Sequence, residues 1–253
     1  MKTVKAECEI RKIEIANYIN FIDKLEDDEF FQKHKNEDKI DSTSIRTSIK
    51  ASTILMLYNL VESILTKSLI KLHEVIISKN LKYEDINEAI KSMILIYYHS
   101  VMDKTENIHN SIDHIKKLVS FVRGNSAMML SYNELSKFYT LYSGNLDSKE
   151  IISVLQKYGI KFDERASELK TIKDLRNKLA HGEASFEECG RALTIQQISA
   201  MKERTFNYID NMIMSVEEFI NQEHYFSIKK LEDTWNNKNY SKRKRIRGRH
   251  KKH

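Results

Sequence analysis

The chain has no proline, six glycines and two cysteines among 253 residues. Each shortage excludes something. Without proline, and with little glycine, few positions remove an amide donor or loosen the backbone, so long uninterrupted helices and an all-α fold are expected. Cys8 and Cys189 make no disulfide framework and read as buried small thiols, which fits a reducing cytoplasmic compartment. No apolar run approaches the ~20 residues that span a bilayer. The stretch from Met1 to Ile15 mixes Lys, Glu and Arg through its apolar residues, unlike a signal-peptide core, so no membrane partner is expected.

What is present begins with 41% hydrophobic residues, enough for a core in one large domain or two small ones. The formal charge of +6 hides a division. Residues 238–253 carry nine Lys and Arg and no acid, which leaves 33 basic against 36 acidic residues in the body. Lys242, Arg243, Lys244, Arg245, Arg247 and Arg249 belong to this tail, which has no apolar face and is expected to stay disordered until it meets a polyanion such as RNA.

Apolar periodicity places a first helix from a cap at Thr3 to about Phe31, with Val4, Ile10, Ile13, Tyr18, Ile22 and Leu25 on one side. A charged loop follows, and Ser42 to Ser78 reads as the central helix because its middle, Ile54 to Leu65, is apolar on nearly every side. Tyr83 to His99, Thr105 to Val122 and Ser131 to Tyr142 read as shorter helices that interrupt a simpler bundle. Asp147 is placed to cap a helix from Ser148 to Tyr158, with Glu150 in the capping-box position and Gly159 as its stop. Asp163 is expected to open a helix that ends at Ala180 before Gly182. A loop covers Glu183 to Leu193, and a capping box at Thr194 and Gln197 starts a last helix reaching about Phe226. With no repeat or Gly/Ser-rich linker, a single helical domain over residues 1–237 followed by the tail, 238–253, is the economical organisation.

The segment from Asp163 carries the chemistry. On a helical wheel Phe162, Leu169, Ile172, Leu179 and Ala180 fall within about 60° of Arg176, so the arginine lies inside an apolar stripe. A guanidinium there needs a partner or a wet cleft, since burying an unpaired charge costs several kcal/mol. Glu62 on the central helix is one candidate partner, and a groove against a second copy of the same helix is another. His181, at the glycine-stopped end, is about 140° around from Arg176, so the two do not stack as an i, i+4 pair. An imidazole that exchanges protons near neutrality and a guanidinium that holds phosphate oxygens together supply the parts of metal-free phosphodiester cleavage. A structural salt bridge for Arg176 and a helix-end role for His181 stand beside that reading. Five-residue spacing alone decides nothing, because Arg245 and His250 in the tail share it. His109 and His114 lack neighbouring cysteines or clustered acids and make a poor metal site.

Asp174-Leu175-Arg176-Asn177-Lys178-Leu179-Ala180-His181-Gly182, followed by Ser185 to Arg191, resembles the HEPN superfamily of helical bundles, in particular nucleases found beside bacterial defence genes. Tyr58 to Glu62 is similar to the acid-bearing second helix of such bundles, whereas residues 80–160 carry no motif of the family. The resemblance implies an up-and-down helical bundle with inserted shorter helices, acting as a homodimer with apposed motif helices. It implies metal-independent, cofactor-free endonuclease cleavage of RNA as a toxin or effector of phage defence, with a defence-system protein as a further partner. Arg176 and His181 are then the catalytic residues. Asn177, Glu62 and Asp174 support them, with Glu62 orienting Arg176, and Lys178 joins the tail in holding RNA. A non-catalytic HEPN scaffold that binds RNA or a partner, and an all-α DNA-binding accessory protein working through the tail, are the rival expectations. Glu183 stands where the HEPN partners of minimal nucleotidyltransferases carry a tyrosine, which disfavours that branch.

Overall fold

The computed structural model describes residues 1–27, 42–104 and 108–232. The basic tail, the end of the expected first helix and the charged loop after it lie outside the described residues. The fold is all-α. Its helices are α1 (Lys2–Asp27), α2 (Ser42–Ser78), α3 (Glu88–Lys104), α4 (Ile108–Val122), α5 (Tyr132–Phe138), α6 (Ser148–Gln156), α7 (Ser167–Ala180), α8 (Phe186–Arg191) and α9 (Ile195–Asn221), with a 3-10 turn at Tyr83–Asp85. Among the described residues the β pairing is one isolated antiparallel bridge, Ile86 with Phe226.

The chain divides into two compact units. The first comprises Met1–Leu69, Tyr142–Val154 and Phe162–Ser215; the second comprises Ile70–Leu141, Leu155–Lys161 and the chain from Val216 onward. The first unit contains α1, most of α2, the turn before α6, and all of α7 and α8. Its core is made by Ile54, Leu57, Ile64 and Leu65 of α2, Leu169 and Ile172 of α7, and Ile198, Tyr208, Ile209 and Met212 of α9. Each fully buried aliphatic side chain there contributes about 1.5–3 kcal/mol of transfer free energy. By length and composition alone α2 is apolar enough to cross a membrane, contrary to the expectation that no run comes near. More than half of that stretch is buried inside the chain, as a core helix would be.

α1 corrects the expected seam. Ile10 and Ile13 are exposed, and the buried line runs through Val4, Cys8, Lys12, Ile15, Ile19 and Ile22. A lysine fits that line because its ammonium bonds two carboxylates, Glu9 at 3.1 Å and Asp210 of α9. Burial by itself would lower the Lys12 pKa, but the hydrogen bonds from Asp210 and Glu9 outweigh it and hold the group above its ordinary value.

Capping decides several boundaries. Asp147 Oδ1 accepts from the Glu150 amide at 3.0 Å and starts α6, and Gly159 follows the helix with φ +83°. Thr194 and Gln197 exchange both capping-box bonds, 2.9 and 3.2 Å, at the start of α9. The stretch expected to be a loop from Glu183 instead contains α8, started by the reciprocal Ser185–Glu188 box. α8 packs on α2 through Gly190, where a Cβ would lie 1.7 Å from the Thr47 carbonyl oxygen, so only glycine allows this backbone approach. Ser44 of α2 donates to Glu187 of α8 at 3.0 Å across the same contact.

The second unit is knitted by loops. Asn87 caps α3 by accepting from the Ile90 amide at 2.8 Å, and its amide group donates to the carbonyls of Tyr158 at 3.2 Å and His224 at 2.9 Å. His73 is buried with both ring nitrogens engaged, one by the Leu130 carbonyl and one by the Tyr158 hydroxyl, each at 2.9 Å. Burial keeps its pKa below the ordinary histidine value, against the Leu130 carbonyl, which acts to raise it.

Candidate functional site

α7 begins at Ser167, later than expected, because the chain before it is held extended. Ala166 has φ −138° and ψ 113°, and Arg204 of α9 donates to the Arg165 carbonyl at 2.7 Å while pairing with Glu164 at 3.1 Å. Phe162 therefore precedes the helix and packs against Tyr208 with ring centroids 5.2 Å apart, instead of belonging to the α7 stripe. Ala180, also assigned to the stripe, is exposed. Leu169 and Ile172 are buried, Leu175, Arg176 and Leu179 are half-buried, and so the arginine does lie along the partly covered side.

The Arg176 guanidinium lies 4.5 Å from the centroid of the Tyr58 ring of α2, in cation–π contact. Its Nη1 donates to Asn177 Oδ1 at 3.0 Å, and Asn177 Nδ2 donates in turn to Asn145 Oδ1 at 2.6 Å. Asn145 sits in a turn that Tyr58 also holds, since the Tyr58 hydroxyl donates to the Gly144 carbonyl and accepts from the Leu146 amide at 3.3 Å. Ring, turn, two amides and guanidinium thus close one circuit, built from α2, the turn before α6, and α7. Asp147, next along that turn, pairs with Lys173 at 3.3 Å one helical turn before Arg176 and locks the turn to α7.

The expected ion pair with Glu62 is not formed: among the described residues no carboxylate comes within salt-bridge distance of Arg176. The guanidinium is instead held against the Tyr58 ring, one helical turn before Glu62, and its Nη1 turns to Asn177 Oδ1. Glu62 and Arg176 instead act on the Tyr58 hydroxyl with opposite signs. Burial raises its pKa most, the Leu146 amide lowers it, Glu62 raises it and Arg176 lowers it, with a net rise. Asp174 is exposed and pairs with Lys173 at 3.2 Å, not with Arg176. Lys178 is exposed on the last turn.

His181 is the C-cap residue of α7, with φ −91° and ψ −1°, and its amide donates to the Asn177 carbonyl at 2.9 Å. Gly182 follows at φ +69°, its amide donating to Leu179 at 3.3 Å, and the Glu183 amide reaches Lys178 at 2.9 Å. Those two bonds make a Schellman motif, which fixes the backbone on which the histidine stands. The imidazole itself is exposed, and among the described residues it has no hydrogen-bond partner and no bond to Arg176.

Asn145 was not anticipated. Ser143-Gly144-Asn145 reads as a turn, and Gly144 has φ +75°, but nothing in the sequence links that turn to an arginine 31 residues away. Among the described residues one set of side chains, Cys8, Glu9 and Asp210, comes within metal-ligating reach of one another. It does not fit a metal, because the Lys12 ammonium already bonds both carboxylates and burial pushes the Cys8 thiol up to about 11. His109 and His114 belong to no such set among the described residues.

The family model described as HEPN_MAE_28990/-like HEPN matches residues 1–225. The chain belongs to this HEPN family. The match runs through residues 80–160, the segment that carries no recognisable motif. No curated protein and no solved structure matches the chain significantly.

Proposed function

We propose that this HEPN protein is a metal-independent endoribonuclease that acts as a cytoplasmic homodimer, its two α7 helices facing each other, in bacterial phage defence. The observation that carries the reading is Arg176: a half-buried guanidinium aimed by Tyr58 and Asn177, with no carboxylate neutralising it among the described residues. Such a charge is oriented in advance and left for an anion, which is what stabilising a phosphorane-like transition state demands. HEPN domains are frequently nucleases, which supports this chemistry.

In this mechanism the ribose 2′-oxygen attacks the adjacent phosphorus and the bond to the 5′-oxygen breaks, leaving a 2′,3′-cyclic phosphate and a 5′-hydroxyl. His181 takes the 2′-hydroxyl proton or returns one to the leaving oxygen. Arg176 holds the extra negative charge on the phosphoryl oxygens, and Asn177 keeps the guanidinium in plane. A second copy of α7 supplies the opposite wall of the groove and a second Arg176–His181 set. Lys178 and the basic tail add RNA affinity that falls with salt. Residues 1–237 act as one functional domain, and a defence-system protein is a further partner.

One observation favours a second reading, a non-catalytic HEPN scaffold: among the described residues no side chain orients the His181 imidazole, whereas a working base is usually held by a third group. The two readings separate on incubating the purified protein with RNA in EDTA, beside Arg176→Ala and His181→Ala. The nuclease reading expects cyclic-phosphate ends from the wild type and none from either variant. Cleavage persisting in both variants, or no cleavage by a dimeric wild type, would overturn it.

A further inference from the structure

The second unit encloses a cavity of about 430 Å³, open on one side, between α3, α4, α5 and the strap at residues 126–130. The volume is in the range of small-molecule sites, roughly 300–1,000 Å³. Its walls are aromatic and soft: Tyr97 and Tyr98 meet edge to face at 5.2 Å, and Phe121 and Met128 close the floor. Three charged or proton-exchanging groups line the cavity. Lys117 and His114, three residues apart on α4, have no hydrogen bond or ion pair among the described residues, and Glu134 of α5 takes only the Tyr97 hydroxyl, at 3.4 Å. Burial first, and then the nearby Glu134 and Tyr98, push the Tyr97 pKa up, so its hydroxyl remains a protonated donor.

Lys117 and Glu134 are solvent-exposed, and donors on one helix and a carboxylate on another line one aromatic cavity without neutralising each other. The geometry points to a binding site for a small aromatic anion that carries an N–H donor. Its acidic group meets Lys117 and His114, its flat body lies against Tyr97, Tyr98 and Phe121, and its N–H bonds Glu134. None of these residues belongs to the Arg176 circuit, so the site stands whether or not the chain cleaves RNA.

Two dyes that differ by one group provide the test on the full chain. 8-Anilinonaphthalene-1-sulfonate has an aromatic body, a secondary N–H and a sulfonate; N-phenyl-1-naphthylamine is the same molecule without the sulfonate. Fluorescence and calorimetric titrations are expected to show one saturable site per chain, with the sulfonated dye bound about tenfold tighter, the worth of one charge-assisted hydrogen bond. The double variant Lys117→Ala with His114→Gln removes that preference and leaves the neutral dye unaffected. Ala127→Trp, which fills the cavity, abolishes binding of both. Equal affinity of the two dyes, a preference that survives the double variant, or non-saturable binding would overturn the assignment. Lys117 is exposed and His114 half-buried, so the double variant is expected to fold.

Discussion

Lys12 and Arg176 pose the same physical problem on two helices of the first unit and meet opposite solutions. Each is a cation set into an apolar stripe. Lys12 is 7% exposed and bonds two carboxylates, so its charge is cancelled where it is buried. Arg176 is half-buried, stacked on Tyr58 and tethered to an uncharged amide, and among the described residues no acid cancels it. The difference separates a cation completed from within the chain from one that, on the proposed reading, is kept for a ligand. The first has its interactions completed from within the chain, whereas the second is oriented and left incomplete.

The comparison breaks most visibly if methionine is placed at both positions. Arg176→Met is expected to lower kcat for RNA cleavage by about 10²–10³, the usual loss on removing one transition-state donor, while Tm stays the same or rises. Lys12→Met should leave cleavage per folded molecule unchanged, because Glu9 and Asp210 are exposed enough to resolvate. Parallel single-turnover assays and thermal melts check both halves; equal losses of activity from the two substitutions would erase the distinction.

Lys12→Ala, which removes the packing of the stem as well as the charge, is expected to lower stability by about 1–3 kcal/mol in urea titrations, with the Arg176 circuit intact. Asn145→Ala sharpens the other side. It cuts the tether of Asn177 without touching the charge, and should reduce kcat about tenfold, or roughly 1.4 kcal/mol, with KM little changed. A fall in stability with no change in kcat would make Asn145 a folding residue only.

The smallest effect is in pH. Burial tends to lower the Lys12 pKa, but its bonds to Asp210 and Glu9 raise it further, so the folded value exceeds the unfolded value. Its contribution to stability is then fully present below about pH 10.4 and is lost as pH rises through the folded value. Wild type and Lys12→Met should therefore converge in stability at the alkaline end of a urea series, whereas Arg176→Met should show no such convergence, since arginine stays charged throughout.

The parts legible in the sequence were those fixed by neighbours in the chain. The limits of α2 at Ser42 and Ser78, the Asp147 cap, the Thr194–Gln197 box and the Gly182 stop all follow from residues within a few positions of one another. Phe186 to Arg191 was legible too, through Ser185 and Glu188, but its six residues are too short for apolar periodicity to reveal. The α1 seam was misplaced because Ile10 and Ile13 outrank a lysine on any hydrophobic scale, and one of the two carboxylates that make Lys12 suited to the interior, Asp210, lies 198 residues on.

The sequence by itself determined that the chain is helical, where most helices start and stop, and that Arg176 falls on an apolar side near a helix end. Those are outcomes of backbone propensity, capping and a period of 3.6, all local in the chain. Tertiary structure alone decided what surrounds that arginine: Tyr58 in place of Glu62, a tether through Asn145, and an imidazole left in solvent. Bonds of that kind join residues 32 to 118 positions apart, and their partners are selected by which surfaces pack together, which no local pattern encodes.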